Sequence, residues 1–75
     1  MKAKFKNGYT ITVTLRDGNL EYFVQYPDGY PYIKGWTEHR EADMYDYEDE
    51  IDYILAWCLG DEDELINSGY KIVED

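Results

Sequence analysis

Tyr9–Tyr26, YTITVTLRDGNLEYFVQY, decides the fold. Asp17-Gly18 is a two-residue hairpin signal, and folding the stretch about it sets Leu15 opposite Leu20, Val13 opposite Tyr22, Ile11 opposite Val24 and Tyr9 opposite Tyr26. Every pair is apolar. Thr10, Thr12, Thr14 and Arg16 then face the other side, because side chains alternate along a strand and a one-residue slip would turn the apolar set outward.

Toward the N-terminus lies a second turn at Asn7-Gly8. A two-residue loop there would place Lys4 opposite Ile11 and put a charge on the core face. A three-residue Lys6-Asn7-Gly8 loop, with Gly8 left-handed, pairs Phe5 with Tyr9 and Ala3 with Ile11 instead. The core pattern selects the three-residue loop and sends Lys2 and Lys4 to the outer face.

On the other side, Pro27-Asp28-Gly29 reads as a similar loop, with Pro presetting the turn and Gly taking the bulge. It aligns Tyr26 with Tyr30 and Val24 with Tyr32, and it leaves Phe23 beside Ile33 as a small apolar patch on the outer face. Tyr9, Tyr22, Tyr26, Tyr30 and Tyr32 read as core-facing. Pro31, which lacks an N–H, marks an edge strand. Gly35–Arg40 reads as a connection, with a helical turn after Thr37.

Beyond it comes Glu41–Glu64, EADMYDYEDEIDYILAWCLGDEDE, which holds eleven of the seventeen acidic residues and no Lys or Arg. Met44, Tyr47, Ile51, Ile54, Leu55 and Cys58 recur at helical spacing and form a stripe wide enough to lie across a sheet. The main helix is expected to start between Glu41 and Asp46, capped by Asp46, with Glu48, Asp49 and Glu50 where the N-terminal dipole favours negative charge. Gly60 ends it. Asp61 followed by Glu64 resembles a capping box for a short second helix through Ser68, stopped by Gly69. Tyr70–Val73 is short and β-prone, suited to an added edge strand. The expected fold is therefore α+β: an antiparallel four-stranded β-meander packed on one face by an amphipathic helix, then a short helix and a C-terminal edge strand. One domain spans 1–75, with the meander at 1–36, the acidic helical part at 41–69 and a short strand or tail at 70–75.

Seventy-five residues support one modest core, which at this size rarely leaves more than about 3–5 kcal/mol of net stability. A single cysteine forms no internal disulfide and a single histidine anchors no zinc site. Nine Tyr, two Trp and two Phe offer large buried areas instead, and homodimerisation offers another route. The lone Cys58 suits a reducing compartment. No apolar run follows Lys2, Lys4 and Lys6, and no stretch approaches the roughly 20 apolar residues of a membrane span. The expected location is the cytoplasm of a bacterial cell.

Net charge is −10, and it is unevenly spread. Residues 1–40 carry six basic and four acidic side chains; residues 41–75 carry one basic and thirteen acidic. Such asymmetry suggests an acidic interaction surface, and its sign argues against direct binding to nucleic acid or an anionic membrane.

On a helical projection Asp49, Asp52 and Tyr53 lie opposite the core stripe, with Asp46, Glu48 and Glu50 on its flanks. Neighbouring carboxylates repel by a few tenths of a kcal/mol per pair, a cost that interspersed Lys or Arg would remove. Two readings follow: a solvated face whose acids serve solubility, or a surface for a strongly basic partner. In the second, the carboxylates imitate nucleic-acid phosphates, with Tyr45, Tyr53 and Trp57 as anchors. The residues carrying this reading are Asp46, Asp49, Glu50, Asp52, Tyr53, Glu62, Asp63 and Glu64. No metal or other cofactor is expected, since EF-hand spacing is missing and helical carboxylates splay apart. No catalytic residues are expected either: His39 stands beside Arg40 in a connection, Cys58 falls within the core stripe, and no carboxylate pair has a distinctive apolar setting. Lys2, Lys4, Lys6 and Arg16 read as a solubilising outer sheet face.

The acid-rich Tyr47–Glu50 segment, YEDE, followed by Asp52 and Tyr53, resembles the small acidic phage-encoded anti-defence inhibitors of the DNA-mimic anti-CRISPR or antirestriction type. The resemblance is compositional and covers residues 41–64. It implies stoichiometric inhibition of a basic nucleic-acid-binding protein, such as a CRISPR effector or a nuclease, without chemistry of its own. Two alternatives stand beside it: an immunity protein or antitoxin that neutralises a basic nuclease, and a small assembly protein whose contacts use Phe23, Ile33 or a sheet edge.

Overall fold

A computed structural model of the protein describes residues 1–60 and 63–75. Five strands form one antiparallel sheet in the order β4-β3-β2-β1-β5, with β1 Lys2–Phe5, β2 Thr10–Arg16, β3 Asn19–Gln25, β4 Pro31–Glu38 and β5 Tyr70–Glu74. Among the described residues between β4 and β5 there are three helices, α1 Glu41–Met44, α2 Glu50–Trp57 and α3 Asp63–Ser68.

The central hairpin has the expected register: Ile11 faces Val24, Val13 faces Tyr22, and Leu15 faces Leu20. Asp17 (φ 52°) and Gly18 (φ 80°) are both left-handed, the turn whose twist matches the flanking strands. The first loop also forms as expected. Ala3 pairs with Ile11, the Phe5 N–H donates to the Tyr9 carbonyl at 2.9 Å, and the Gly8 N–H donates to the Phe5 carbonyl at 3.0 Å. Tyr70–Glu74 adds to the free side of β1, with Phe5 opposite Tyr70 and Ala3 opposite Ile72.

The third hairpin departs from expectation. Tyr26 and Tyr30 do exchange a backbone bond, but Val24 pairs with Ile33 and Gln25 with Pro31, so Tyr32 is an extra residue at a bulge. A bulge turns two successive side chains toward one face, and both Tyr32 and Ile33 pack against the core. Phe23 consequently stands opposite Lys34 rather than beside Ile33, and the apolar outer patch expected of those two residues does not form. β4 continues through Glu38, where a connection and helical turn were expected, and Gly35 lies in it. A Cβ on Gly35 would come within 2.4 Å of the Tyr22 hydroxyl, so the glycine makes room for that ring. Pro31 stands on an edge strand, as its missing N–H requires.

The core lies between one sheet face and the helices. Ala3, Phe5, Ile11, Val13, Leu20 and Val24 come from the sheet; Ile51, Tyr53, Ile54, Leu55, Leu59 and Leu65 come from the helical half. Among the tyrosines expected inside, Tyr9, Tyr22 and Tyr32 pack on this core, whereas Tyr30 and Tyr26 are exposed at the third loop. Leu15 is also exposed, although Leu20 opposite it is fully buried. No helix among the described residues is long and apolar enough to cross a membrane.

Candidate functional site

The acidic segment does not form one helix capped by Asp46. α1 is a single turn, residues 45–49 are irregular, and α2 begins at Glu50 with Asp49 as its cap. Asp49 is extended (φ −159°), and its Oδ1 accepts from the Asp52 N–H at 2.8 Å. Asp52 reaches back, its Oδ2 accepting from the Glu48 N–H at 3.4 Å. A side chain that bonds backbone donors this way favours a helix start over a helix interior, which explains why the helix restarts here.

Asp49 also accepts from the Tyr70 hydroxyl, at 3.0 and 3.1 Å to its two oxygens. That contact ties the start of α2 to β5. Burial, together with the Asp49 hydrogen bond and charge, holds the Tyr70 phenol well above its ordinary pKa. Asp49 is therefore half-buried and structurally committed rather than free on a helix surface.

Between α2, α3 and β5 runs an open groove of about 910 Å³. Asp46, Glu48, Asp49 and Asp52 line its acidic side, while Leu55, Ala56, Ile66 and Ile72 give it apolar surface. None of the four carboxylates forms an ion pair among the described residues; Arg40, the cation closest in sequence, pairs with Glu38 at 3.2 Å and Asp43 at 3.8 Å. Of the residues predicted from sequence, Asp46, Asp49 and Asp52 thus come together in one site. Glu50 is half-buried and lies outside the groove lining. Glu62 and the expected cap Asp61 fall outside the described residues, as do the side chains of Asp63 and Glu64.

Tyr53 is a correction. It is buried, at 5% exposure, rather than projecting as an anchor. Its ring packs edge-on against Tyr47 at 5.4 Å and lies 6.4 Å from Trp57, whose Nε1–H donates to the Tyr47 hydroxyl at 2.9 Å. Tyr47 from the irregular turn before α2 and Trp57 from its end enclose the ring, which lies beside the end of β4 with Thr37 and Glu38. Tyr45 and Trp57 are exposed, as anchors would be.

Burial pushes the Cys58 thiol above its usual pKa, against hydrogen bonds from Tyr22 and Thr37 that favour the thiolate. His39 is held by its backbone N–H on the Gly18 carbonyl, beside the hairpin turn. Among the described residues, no group of three or more His, Cys, Asp or Glu side chains is arranged to hold a metal ion.

Sequence reasoning missed the groove's other wall, Ile66, Tyr70 and Ile72. The β-prone Tyr70–Val73 run was the available signal, but only its pairing with β1 brings that wall to the acids. Comparison with protein-family models, curated proteins and solved structures returns no match.

Proposed function

We infer that the protein is an acidic binding module that engages a basic, nucleic-acid-binding surface of a partner protein and blocks it by occupancy. The observation that carries this reading is the groove: four carboxylates without ion-pair partners stand beside apolar surface from Leu55, Ile66 and Ile72. A lysine or arginine is amphipathic, with an aliphatic stem and a charged head. Laid in the groove, it would rest its stem on the apolar wall and present its head to Asp46, Asp49 or Asp52. Arginine can meet a carboxylate in a two-pronged, charge-assisted pair. The site is concave, so it suits a basic protrusion of the partner, and the exposed Asp46 and Glu48 on its acidic side would steer the encounter. The partner class is a basic nucleic-acid-binding protein, such as a CRISPR effector or a nuclease, in keeping with an anti-defence inhibitor.

The test is affinity capture from bacterial lysate with elution by rising salt, followed by titration of the captured protein's nucleic-acid binding. The wild-type protein should retain a basic nucleic-acid-binding protein and abolish its nucleic-acid binding at a stoichiometric ratio. Asp46→Lys with Asp52→Lys should lose at least about tenfold in affinity, one buried-charge contact being worth 1.4 kcal/mol or more. If that double reversal captures and inhibits like the wild type, the groove is not the binding site.

A further inference from the structure

The face of the sheet turned away from the helices has no cover in the fold, and its composition is not that of a plain solubilising surface. Alternation across the observed registers brings Lys2, Lys4, Lys34, Lys71 and Arg16 to it, five of the seven basic residues of the chain. Arg16 pairs with Glu21 at 3.3 Å. Glu21, Glu38 and Glu74 share the face, Glu74 opposite Lys2, so five cations stand against three acids and the face keeps a positive excess. The four lysines form no ion pair among the described residues. Two aromatic side chains share this face: Phe23 on β3, half-buried, and Trp36 on β4, 64% exposed. One row across the sheet reads Lys34, Phe23, Thr12 and Lys2, so an aromatic ring lies between two cations with a hydroxyl beside it. Phe23, Trp36, Lys34 and the threonines at 12 and 14 line a shallow depression of about 590 Å³.

We propose that this sheet face binds single-stranded nucleic acid, with bases stacked on Phe23 and Trp36 and phosphates held by Lys34, Lys2 and the Lys4–Lys71 pair. Bases stack on exposed aromatic rings with little regard to sequence, and cations flanking the rings track the backbone. The complementarity is local. The whole chain carries −10, but the acidic groove lies on the opposite side of the sheet, and the molecule measures 33 × 23 × 22 Å. At physiological salt the Debye length is about 8 Å, so a phosphate at the sheet face is largely screened from acids on the far side. A purely acidic partner would use the lysines but has no need of two flat rings set beside them. A duplex would hide its bases from those rings.

The proposal rests on the sheet alone and is independent of the helical groove. It is tested with the full chain and a short fluorescein-labelled oligothymidylate, followed by fluorescence anisotropy from physiological salt upward, where the far-side acids are screened. Binding should weaken about 100-fold for a tenfold rise in NaCl, the slope expected of three phosphate contacts on a single strand. Phe23→Ala and Trp36→Ala should each weaken it about tenfold. Lys34→Glu, at an exposed position, should weaken it similarly without altering the circular dichroism spectrum. Tryptophan fluorescence tests the contact: Trp36 and Trp57 line one depression at the β4 edge, so the readout is taken in Trp57→Phe, where the remaining Trp36 should be quenched by the oligonucleotide. The proposal is overturned by failure to bind at physiological salt, by Trp36 left unquenched in Trp57→Phe, or by polyphosphate competing as well as the oligonucleotide while the aromatic variants bind normally. That last result would make the face a lysine patch for any polyanion, acidic proteins included. Asp46→Lys with Asp52→Lys should leave oligonucleotide quenching of Trp36 intact, separating this site from the groove.

Discussion

Asp49 accepts hydrogen bonds from the Asp52 N–H and the Tyr70 hydroxyl, so one side chain caps α2 and fastens it to β5. Removing a cap costs about 1 kcal/mol, and a hydrogen bond to a charged group contributes roughly another 1.5 kcal/mol. Asp49→Ala should therefore lower the unfolding free energy in urea by about 2.5 kcal/mol, while Asp49→Asn, which still caps, should lose about half as much. The same contact sets a pH dependence. The folded-state pKa of Tyr70 lies above its ordinary 10.0, so the fold favours the neutral phenol. That contribution is complete below pH 10.0 and declines as pH rises from there through the folded value. Burial shifts Tyr22 and Cys58 in the same direction. The urea midpoint should fall as the pH is raised beyond this point, and in Tyr70→Phe it should fall less steeply.

At the level of elements, the break before α2 has the largest consequence. Because the chain leaves the helix after Met44 and re-enters at Glu50, Tyr47 packs edge-on against Tyr53 and helps to bury it. Tyr53→Ala should consequently destabilise the fold by about 3–5 kcal/mol, which is comparable to all the stability expected of so small a core. Thermal unfolding will show this directly; an unchanged midpoint would place Tyr53 on the surface after all. The β2–β3 hairpin was legible because a dyad pattern and a two-residue turn agree, leaving one register that turns Ile11, Val13, Leu20 and Val24 to the core together. The β3–β4 register was not. A bulge conserves the loop but shifts the pairing by one, and local pattern alone does not distinguish an extra residue at Tyr32 from a regular strand.

For the molecule as a whole, charge is sorted by side. The outer sheet face holds five of seven cations, and the helical side carries the crowded carboxylates. Carboxylates this close repel within the native state, and the repulsion is strongest at low ionic strength. Raising NaCl from low to moderate concentration should relieve about 1 kcal/mol and lift the thermal midpoint by about 4–8 °C, measured by circular dichroism. A flat or falling midpoint would mean that the acids are already compensated by contacts within the fold.

The candidate site divides along the same line between local and distant information. Asp46, Asp49 and Asp52 were recognisable from their density and from the absence of nearby basic residues, which are properties of the chain itself. Alternation, turn chemistry and charge balance are written in neighbouring residues, so the sheet, the helical covering layer and the acidic bias were determined by sequence alone. Whether those acids stand on a ridge or line a groove depends on β5 returning to pair with β1 and on Asp49 restarting the helix. Whether Lys71 and Lys34 join Lys2 and Lys4 beside two aromatic rings depends on which strands become neighbours. These outcomes join residues far apart in the chain, and only tertiary packing, which satisfies the whole core at once, decided them.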